Sequence, residues 1–283
     1  MTKNKNQFRA LLVYPNLSLM LVPPLAIGLF TRILRKQDYQ IDLFDTTSYL
    51  TDETTSPRNR VKYLQARKFD ETDDLGIVVN WDMVGDFRKK VMEFQPDVMF
   101  FSVVEDTVGK TLLLLRSVED MGIRHLIGGV FPTAAPQRCI EFPEVQMIAI
   151  GEGERTIVEV SEAIRKKKSL KKIKGTWYKD EAGITYKNGP QPLVDINLVR
   201  PDFSLFDEAR FIRPMGGQVF RTFPIESYRG CPYLCTYCNS PMQREQAREQ
   251  GNGNFLRRKQ QANLSEEIHN LITDYSPEFL YFV

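Results

Sequence analysis

Over the first 170 residues, the apolar positions fall into short runs that alternate with stretches of helical period. Residues 10–16 open with Ala-Leu-Leu-Val and end in Pro-Asn, the pattern of a buried strand running into a loop. Pro23 and Pro24 then introduce a helix over 25–36. Its apolar residues Leu25, Ile27, Leu29, Phe30, Ile33 and Leu34 share a face, and basic residues close its end. Residues 41–44 form a second strand. Strand, helix and strand at this spacing make a βαβ unit with parallel pairing. Residues 45–80 break the rhythm: they are rich in Thr, Asp, Glu and Arg, with no period until Gly76, and read as an insertion or long loop.

The alternation resumes with a helix over 81–94 and a strand over 97–104 that is apolar on both faces. A helix over 108–121 follows, with Leu112, Leu113, Leu115 and Val118 facing inward. Strands at 125–129 and 146–150 and a helix ending near 168 complete the series. The pattern predicts an α/β fold, a doubly wound, Rossmann-like parallel sheet over 1–170. Ligands of such sheets bind beyond the carboxyl ends of the strands, which directs attention to the loops at 16–22, 102–107, 128–132 and 151–154. No G-x-G-x-x-G run follows the first strand, which argues against a nicotinamide dinucleotide.

Beyond this region, the strongly basic run 165–174 reads as a solvated helix end. Residues 175–178 and 184–186 flank a turn and predict a hairpin, and 190–214 is Pro-rich. Together 171–215 reads as a linker. In 216–283 a strand over 220–228 feeds a cysteine-rich loop. A polar, exposed stretch follows at 243–254, then a helix capped by Ser265, then an apolar strand at 279–283.

Apolar residues make up 42% of the 283-residue chain and charged ones 26%, the balance of a soluble globular protein. A net charge of +2 gives no electrostatic case for nucleic acid or an anionic membrane. No apolar run approaches the ~20 residues of a membrane span, and the polar N-terminus has no signal-peptide core. Three of the four cysteines are clustered, which argues against a disulfide scaffold and for a reducing, cytoplasmic setting.

Those three lie in Arg229-Gly230-Cys231-Pro232-Tyr233-Leu234-Cys235-Thr236-Tyr237-Cys238-Asn239, spaced C-x3-C-x2-C. Thiolates this close can converge on one soft metal centre. Structural zinc prefers four protein ligands, and no fourth Cys or His lies nearby; the next histidine is His269. Three thiolates on a four-iron cluster leave one iron open for chemistry.

The motif resembles the signature of the radical S-adenosylmethionine superfamily. The resemblance implies a [4Fe-4S] cluster on Cys231, Cys235 and Cys238, with S-adenosylmethionine chelated at the free iron and Tyr237 beside its nucleoside. The first 160 residues resemble the cobalamin-binding domains that precede many such enzymes. That likeness rests on the Pro-Pro-Leu helix start, on Pro96-Asp97 leading to a strand ending at Ser102, on Gly128-Gly129, and on Ile150-Gly151-Glu152-Gly153-Glu154. It implies cobalamin, with Ser102, Gly128 and Gly129 along the cleft for its nucleotide tail. The loop after the first strand has no histidine, so the implied cobalamin is held without a histidine axial ligand; His125 sits in a strand as a core residue.

The expected function is cleavage of S-adenosylmethionine to a 5′-deoxyadenosyl radical for methylation or rearrangement of a small-molecule substrate. A reductant protein such as flavodoxin or ferredoxin is the expected partner. Residues 216–283 then supply only the first βαβ portion of a radical (β/α) barrel, so the chain reads as a C-terminally truncated fragment that is not a competent catalyst alone. Two alternatives remain open: a noncatalytic cobalamin-binding module with a remnant cluster loop, and a relative of the transfer-RNA methylthiotransferases. The latter carry further N-terminal cysteines, whereas here only Cys139 is available.

Overall fold

The computed structural model describes residues 7–50, 61–63, 68, 70, 72–216 and 218–283. Much of the predicted 45–80 insertion lies outside the described residues. Five parallel strands form the centre of the molecule: β1 (Arg9–Tyr14), β2 (Gln40–Asp45), β3 (Val98–Ser102), β4 (Arg124–Gly128) and β5 (Met147–Ala149), in the order β2-β1-β3-β4-β5. This is the doubly wound order with the chain reversing direction between β1 and β3, where such sheets open a crevice for ligands.

Both faces of the sheet are covered, and alternate side chains go to opposite faces. Ala10, Leu12, Phe100 and Leu126 pack with α1 (Leu25–Arg35) and α6 (Glu154–Arg165). Leu11, Val13, Met99, Phe101 and Ile127 pack with α2 (Met83–Phe94) and α3 (Val108–Ser117). Two short helices, α4 (Val130–Ala134) and α5 (Pro136–Ile140), connect β4 to β5. The apolar run at β3 is therefore buried on both sides, as its sequence predicted.

Several boundaries differ from the sequence reading. The α2 helix begins at Met83 because Asp82 caps it, its carboxylate accepting the Gly85 N–H at 2.8 Å. In its neighbour α3, Leu112 and Leu115 are buried as expected, with Val118 just beyond its end, but Leu114 is fully buried and Leu113 half-exposed. The predicted hairpin, β6 (Thr176–Lys179) with β7 (Thr185–Lys187), is present. It extends the main sheet, since β6 pairs antiparallel with β5.

The Pro-rich segment 190–214 is not loosely solvated. Phe203, Phe206 and Phe211 are buried against α1 and against Phe223, with the Phe211 and Phe223 rings stacked at 4.2 Å. Gly28 in α1 makes room for this segment: a Cβ there would lie 2.9 Å from Pro201 and 3.1 Å from Phe203. The amide of Asp202 donates to the Gly28 carbonyl at 2.9 Å, and its carboxylate pairs with Arg35 at 2.7 Å.

A second sheet consists of β8 (Ile212–Met215), β9 (Gln218–Ile225) and β12 (Phe279–Phe282), in the order β12-β9-β8. β9 and β12 are parallel, with Thr222 opposite Phe279 and Ile225 opposite Phe282. Between them lie a two-residue ladder of β10 (Tyr228–Arg229) with β11 (Arg257–Arg258), and the helices α7 (Ser240–Glu249) and α8 (Gln261–Tyr275). The α8 helix starts earlier than expected, with Gln260 as its N-cap and Ser265 inside it. The strand–helix–strand unit predicted around the cysteine loop is thus present. No described helix is long and apolar enough to cross a membrane.

Candidate functional site

The carboxyl ends of the parallel strands deliver their loops to one cavity of about 660 Å³, open to solvent. Pro15 and Asn16 follow β1, Ser102–Val104 end β3, Gly128–Val130 end β4, and residues 150–154 follow β5; all of them line it. Each loop that the sequence nominated contributes. The opposite wall comes from the cysteine segment: Glu226, Arg229, Gly230, Cys231 and one face of α7. Ser102, Gly128, Gly129 and Cys231, nominated on separate grounds, therefore share one cavity.

The two adjacent glycines differ physically. Gly129 has φ +109° and ψ −167°, a region essentially reserved for glycine. A Cβ there would lie 2.5 Å from the Val103 carbonyl oxygen and 2.7 Å from its nitrogen. The neighbouring Gly128 would carry a Cβ at 3.7 Å from Ala149, an ordinary contact. Gly129 thus lets the β4 loop close on the β3 loop, whereas Gly128 leaves a smooth strip of backbone at the cavity edge.

The cysteine loop begins where the β10–β11 ladder ends. Gly230 has φ +96°, and a Cβ on it would come within 2.3 Å of the Phe255 carbonyl oxygen. Only glycine lets the chain turn there just before Cys231. The loop closes as the Cys238 N–H donates to the Cys235 carbonyl at 3.2 Å, and the Ser240 N–H donates to the Cys238 Sγ at 3.4 Å. Arg244 of α7 donates to the Pro232 carbonyl at 3.0 Å.

Cys231 and Cys235 are half-buried and Cys238 is exposed. Tyr237 is 91% exposed and lies outside the cavity lining. Three thiolates on a compact loop, with a backbone N–H already directed at one sulfur, fit the donor chemistry of an iron–sulfur centre. Among the described residues, however, no three His, Cys, Asp or Glu side chains are gathered round one point.

The remaining candidates are settled by burial. Cys139 is buried in α5, and desolvation pushes its thiol up to about 12, so it behaves as a core residue. His125 accepts the Gln146 N–H at 3.3 Å through Nε2, and burial lowers its pKa to about 4. Neither histidine lines the cavity.

One feature escaped the sequence reading. Arg229 lies between three carboxylates: Glu154 at 2.6 Å, Glu226 at 2.7 Å and Glu152 at 3.4 Å. Arg257 adds a bidentate pair with Glu152, one arm at 2.9 Å. All five groups are largely buried. Desolvation works against the charge on Arg229, but the surrounding carboxylates outweigh it and hold its pKa above the usual value. For Glu152, burial opposes ionisation, while Arg257 and Arg229 bring its pKa below the usual carboxylate value. The network joins the Gly151-Glu152-Gly153-Glu154 loop of the first sheet to the residues that launch the cysteine loop.

No family model matches the sequence. An uncharacterised methyltransferase of Pyrococcus horikoshii is 26% identical over 198 residues, covering 67% of this chain and 42% of that protein. The anaerobic magnesium-protoporphyrin IX monomethyl ester cyclase of a Synechocystis species is 31% identical over 130 residues, covering 45% of this chain and 25% of that protein. Among solved structures, the cobalamin-dependent S-adenosylmethionine radical enzyme OxsB superposes with a TM-score of 0.63 at 19% identity, over 98% of this chain and 34% of its own. The radical S-adenosylmethionine methyltransferase TsrM of Kitasatospora setae, solved with cobalamin and a [4Fe-4S] cluster, gives 0.63 at 16%, over 98% and 47%. The chain thus spans between a quarter and a half of the length of these relatives. Nearly the whole chain superposes on a part of these cobalamin-dependent radical S-adenosylmethionine enzymes and shares the fold of that part.

Proposed function

We propose that this chain is the cofactor-holding part of a cobalamin-dependent radical S-adenosylmethionine enzyme. The observation that carries the reading is the shared cavity, where Ser102, Gly128 and Gly129 line one side and Cys231 the other. Cys231, Cys235 and Cys238 would hold the [4Fe-4S] cluster, and Tyr237 would flank the nucleoside of S-adenosylmethionine. Ser102, Gly128 and Gly129 would line the course of the cobalamin nucleotide tail. The chemistry supplied by the bound groups is reductive cleavage of S-adenosylmethionine to a 5′-deoxyadenosyl radical, with cobalamin as carrier of a methyl group.

The chain's own residues bind and orient these groups. The strand-end loops offer backbone and small side chains to a large flat ligand. The Arg229–Glu152–Glu154–Glu226 network fixes the separation of the two cavity walls. Methylation or rearrangement of a small molecule is the proposed outcome. A flavodoxin or ferredoxin would supply electrons in a reducing, cytoplasmic setting.

Anaerobic purification, reconstitution with iron and sulfide, and a cobalamin titration followed by visible absorbance test the reading. We expect close to four iron and four sulfide per chain, lost together in a Cys231→Ala, Cys235→Ala, Cys238→Ala variant, and saturable cobalamin binding. About one zinc with no labile sulfide would sink the cluster assignment. Cobalamin binding without sulfide incorporation would leave a binding module.

A further inference from the structure

The α7 helix carries a pattern that the fold does not explain. Its charged residues Arg244, Glu245, Arg248 and Glu249 are all exposed, and Glu245 pairs with Arg248 along the outer face. Its inner face presents Gln243, Gln246 and Ala247 to the cavity, with Asn239 just before the first turn and Gln250 at the C-cap. Positions three, four and seven apart share one side of a helix. A helix packed against protein would place apolar residues there; this one places a row of neutral carboxamides around a single buried alanine.

Each of these amides keeps hydrogen-bonding capacity to spare. Gln243 Nε2 donates to Asn239 Oδ1 at 3.1 Å and Gln250 Oε1 accepts from Asn252 at 2.9 Å, while among the described residues the Gln246 side chain has no protein hydrogen-bond partner. The charged groups on the cavity wall, Glu152, Glu154, Glu226 and Arg229, are already paired with one another or with Arg257. What faces a ligand is therefore an uncharged surface that both donates and accepts. Carboxamides suit a partner of the same kind, because an amide pair satisfies a donor and an acceptor at once. A carboxylate against this wall would be desolvated without a cation.

We infer that the amide face of α7, built from Asn239, Gln243, Gln246 and Gln250, recognises the peripheral carboxamides of the corrin ring and selects the fully amidated corrinoid over its carboxylate forms. This rests on the cobalamin reading above. Ala247 at the centre of the face lets the ring edge approach the helix, and the glycine loops on the far wall receive its other side.

Visible-absorbance titrations of the full chain test it, using hydroxocobalamin and its monocarboxylate derivatives, in which one propionamide is hydrolysed. Wild type should bind the amide form at least tenfold more tightly than the monocarboxylates. Gln246→Lys should narrow or invert that ratio for at least one isomer, and Gln246→Glu should weaken the amide form by about tenfold. Gln250→Lys, at a more exposed position of the same face, provides the parallel test should the first variants lose their fold by circular dichroism. Glu245→Gln on the outer face should change neither affinity.

Equal binding of amide and carboxylate forms by wild type, or unchanged ratios in the lysine variants, overturns the inference while leaving the cobalamin reading intact. Loss of S-adenosylmethionine binding in equilibrium dialysis, with corrinoid selectivity unchanged, would assign the wall to the nucleoside and also overturn it. No cobalamin binding by wild type removes the underlying reading, and this inference with it.

Discussion

Alanine placed at each of the two adjacent glycines should separate a backbone requirement from a binding role. At Gly129 the backbone sits at φ +109°, ψ −167°, where a non-glycine residue costs about 1–3 kcal/mol. The new Cβ would also stand 2.5 Å and 2.7 Å from the backbone oxygen and nitrogen of Val103. Those atoms cannot swing aside as a side chain can. Val103 N–H donates to the Gly128 carbonyl and its carbonyl accepts the Phe131 N–H, so the β3 loop is held from both sides. Overpacking against a fixed neighbour adds about 1–3 kcal/mol, and the two costs together put Gly129→Ala at about 3 kcal/mol or more. Gly128→Ala meets nothing closer than 3.7 Å and has no positive φ. It should fall within about 1 kcal/mol of wild type, the loss of unfolded-chain entropy acting in its favour. Urea unfolding followed by circular dichroism measures both. A Gly129→Ala variant within about 1 kcal/mol of wild type, or a Gly128→Ala variant that is the more damaged, would refute a backbone requirement at Gly129. A Gly128→Ala variant that is stable but has lost cobalamin binding would give that residue a role at the cavity edge rather than in the fold.

Lys259 and Glu267 form a pair 2.6 Å apart with side chains 2% and 3% exposed, and burial raises the Glu267 pKa against the pull of Lys259. Lys259→Met should cost about 3–5 kcal/mol because it strands a buried carboxylate, and adding Glu267→Leu should recover part of that loss in denaturant melts; a single variant as stable as wild type would refute it. His125 is held neutral, its pKa lowered by burial to about 4 from 6.5. Its share of stability is therefore present above about pH 6.5 and is lost as pH falls toward 4, by up to about 3 kcal/mol. His125→Gln should flatten stability over that interval, and an unchanged acid profile would show that the ring does not carry it. Arg229→Gln would leave Glu152, Glu154 and Glu226 crowded with one cation fewer, and should destabilise the chain by about 3 kcal/mol or more. Arg229→Lys should restore only part, since an ammonium cannot fork across several carboxylates, and full recovery would argue against the geometry.

The first sheet was legible because its signal is local. Apolar runs such as 98–101 and the helical stripe at 25–34 each reveal their state within a few residues, and parallel order follows from their alternation. The strand-end loops followed from that order alone, and each one nominated reaches the cavity. Leu113 and Leu114 show where local signal stops: four consecutive leucines offer no polar residue to fix which side of α3 turns inward, and packing against α2 decides it. The Pro-rich stretch concealed its packing for a related reason. Pro201 and Pro214 deny it a helical or strand period, yet Phe203 and Phe211 are anchored by residues far away in the chain, at Gly28, Phe223 and Tyr275. Nothing in the local sequence announces those partners.

The same contrast of local and distant signal governs the site. The cysteine spacing is complete within eight residues and so was readable at once, whereas the charges that locate the loop come from 75 and 105 positions away, in the Arg229–Glu154 and Arg257–Glu152 pairs. Glu152 and Glu154 stand in a glycine-rich turn after β5, and Arg229 directly before a glycine; in local sequence none of them has an evident reason to be charged. Their pairing supplies the reason. Five ionisable groups withdrawn from water are costly unless each finds a partner; Glu226 meets Arg229 within its own segment, but Glu152, Glu154 and Arg257 find theirs only when the β5 loop and the cysteine segment lie side by side. That mutual need favours one registry of the two walls over any other, which is the use for which buried ion pairs are best attested. A cofactor that spans both walls requires such a registry before it arrives, because a cleft free to open and shut would spend binding energy on being ordered. The network thus turns two separately readable sequence motifs into one preformed cavity.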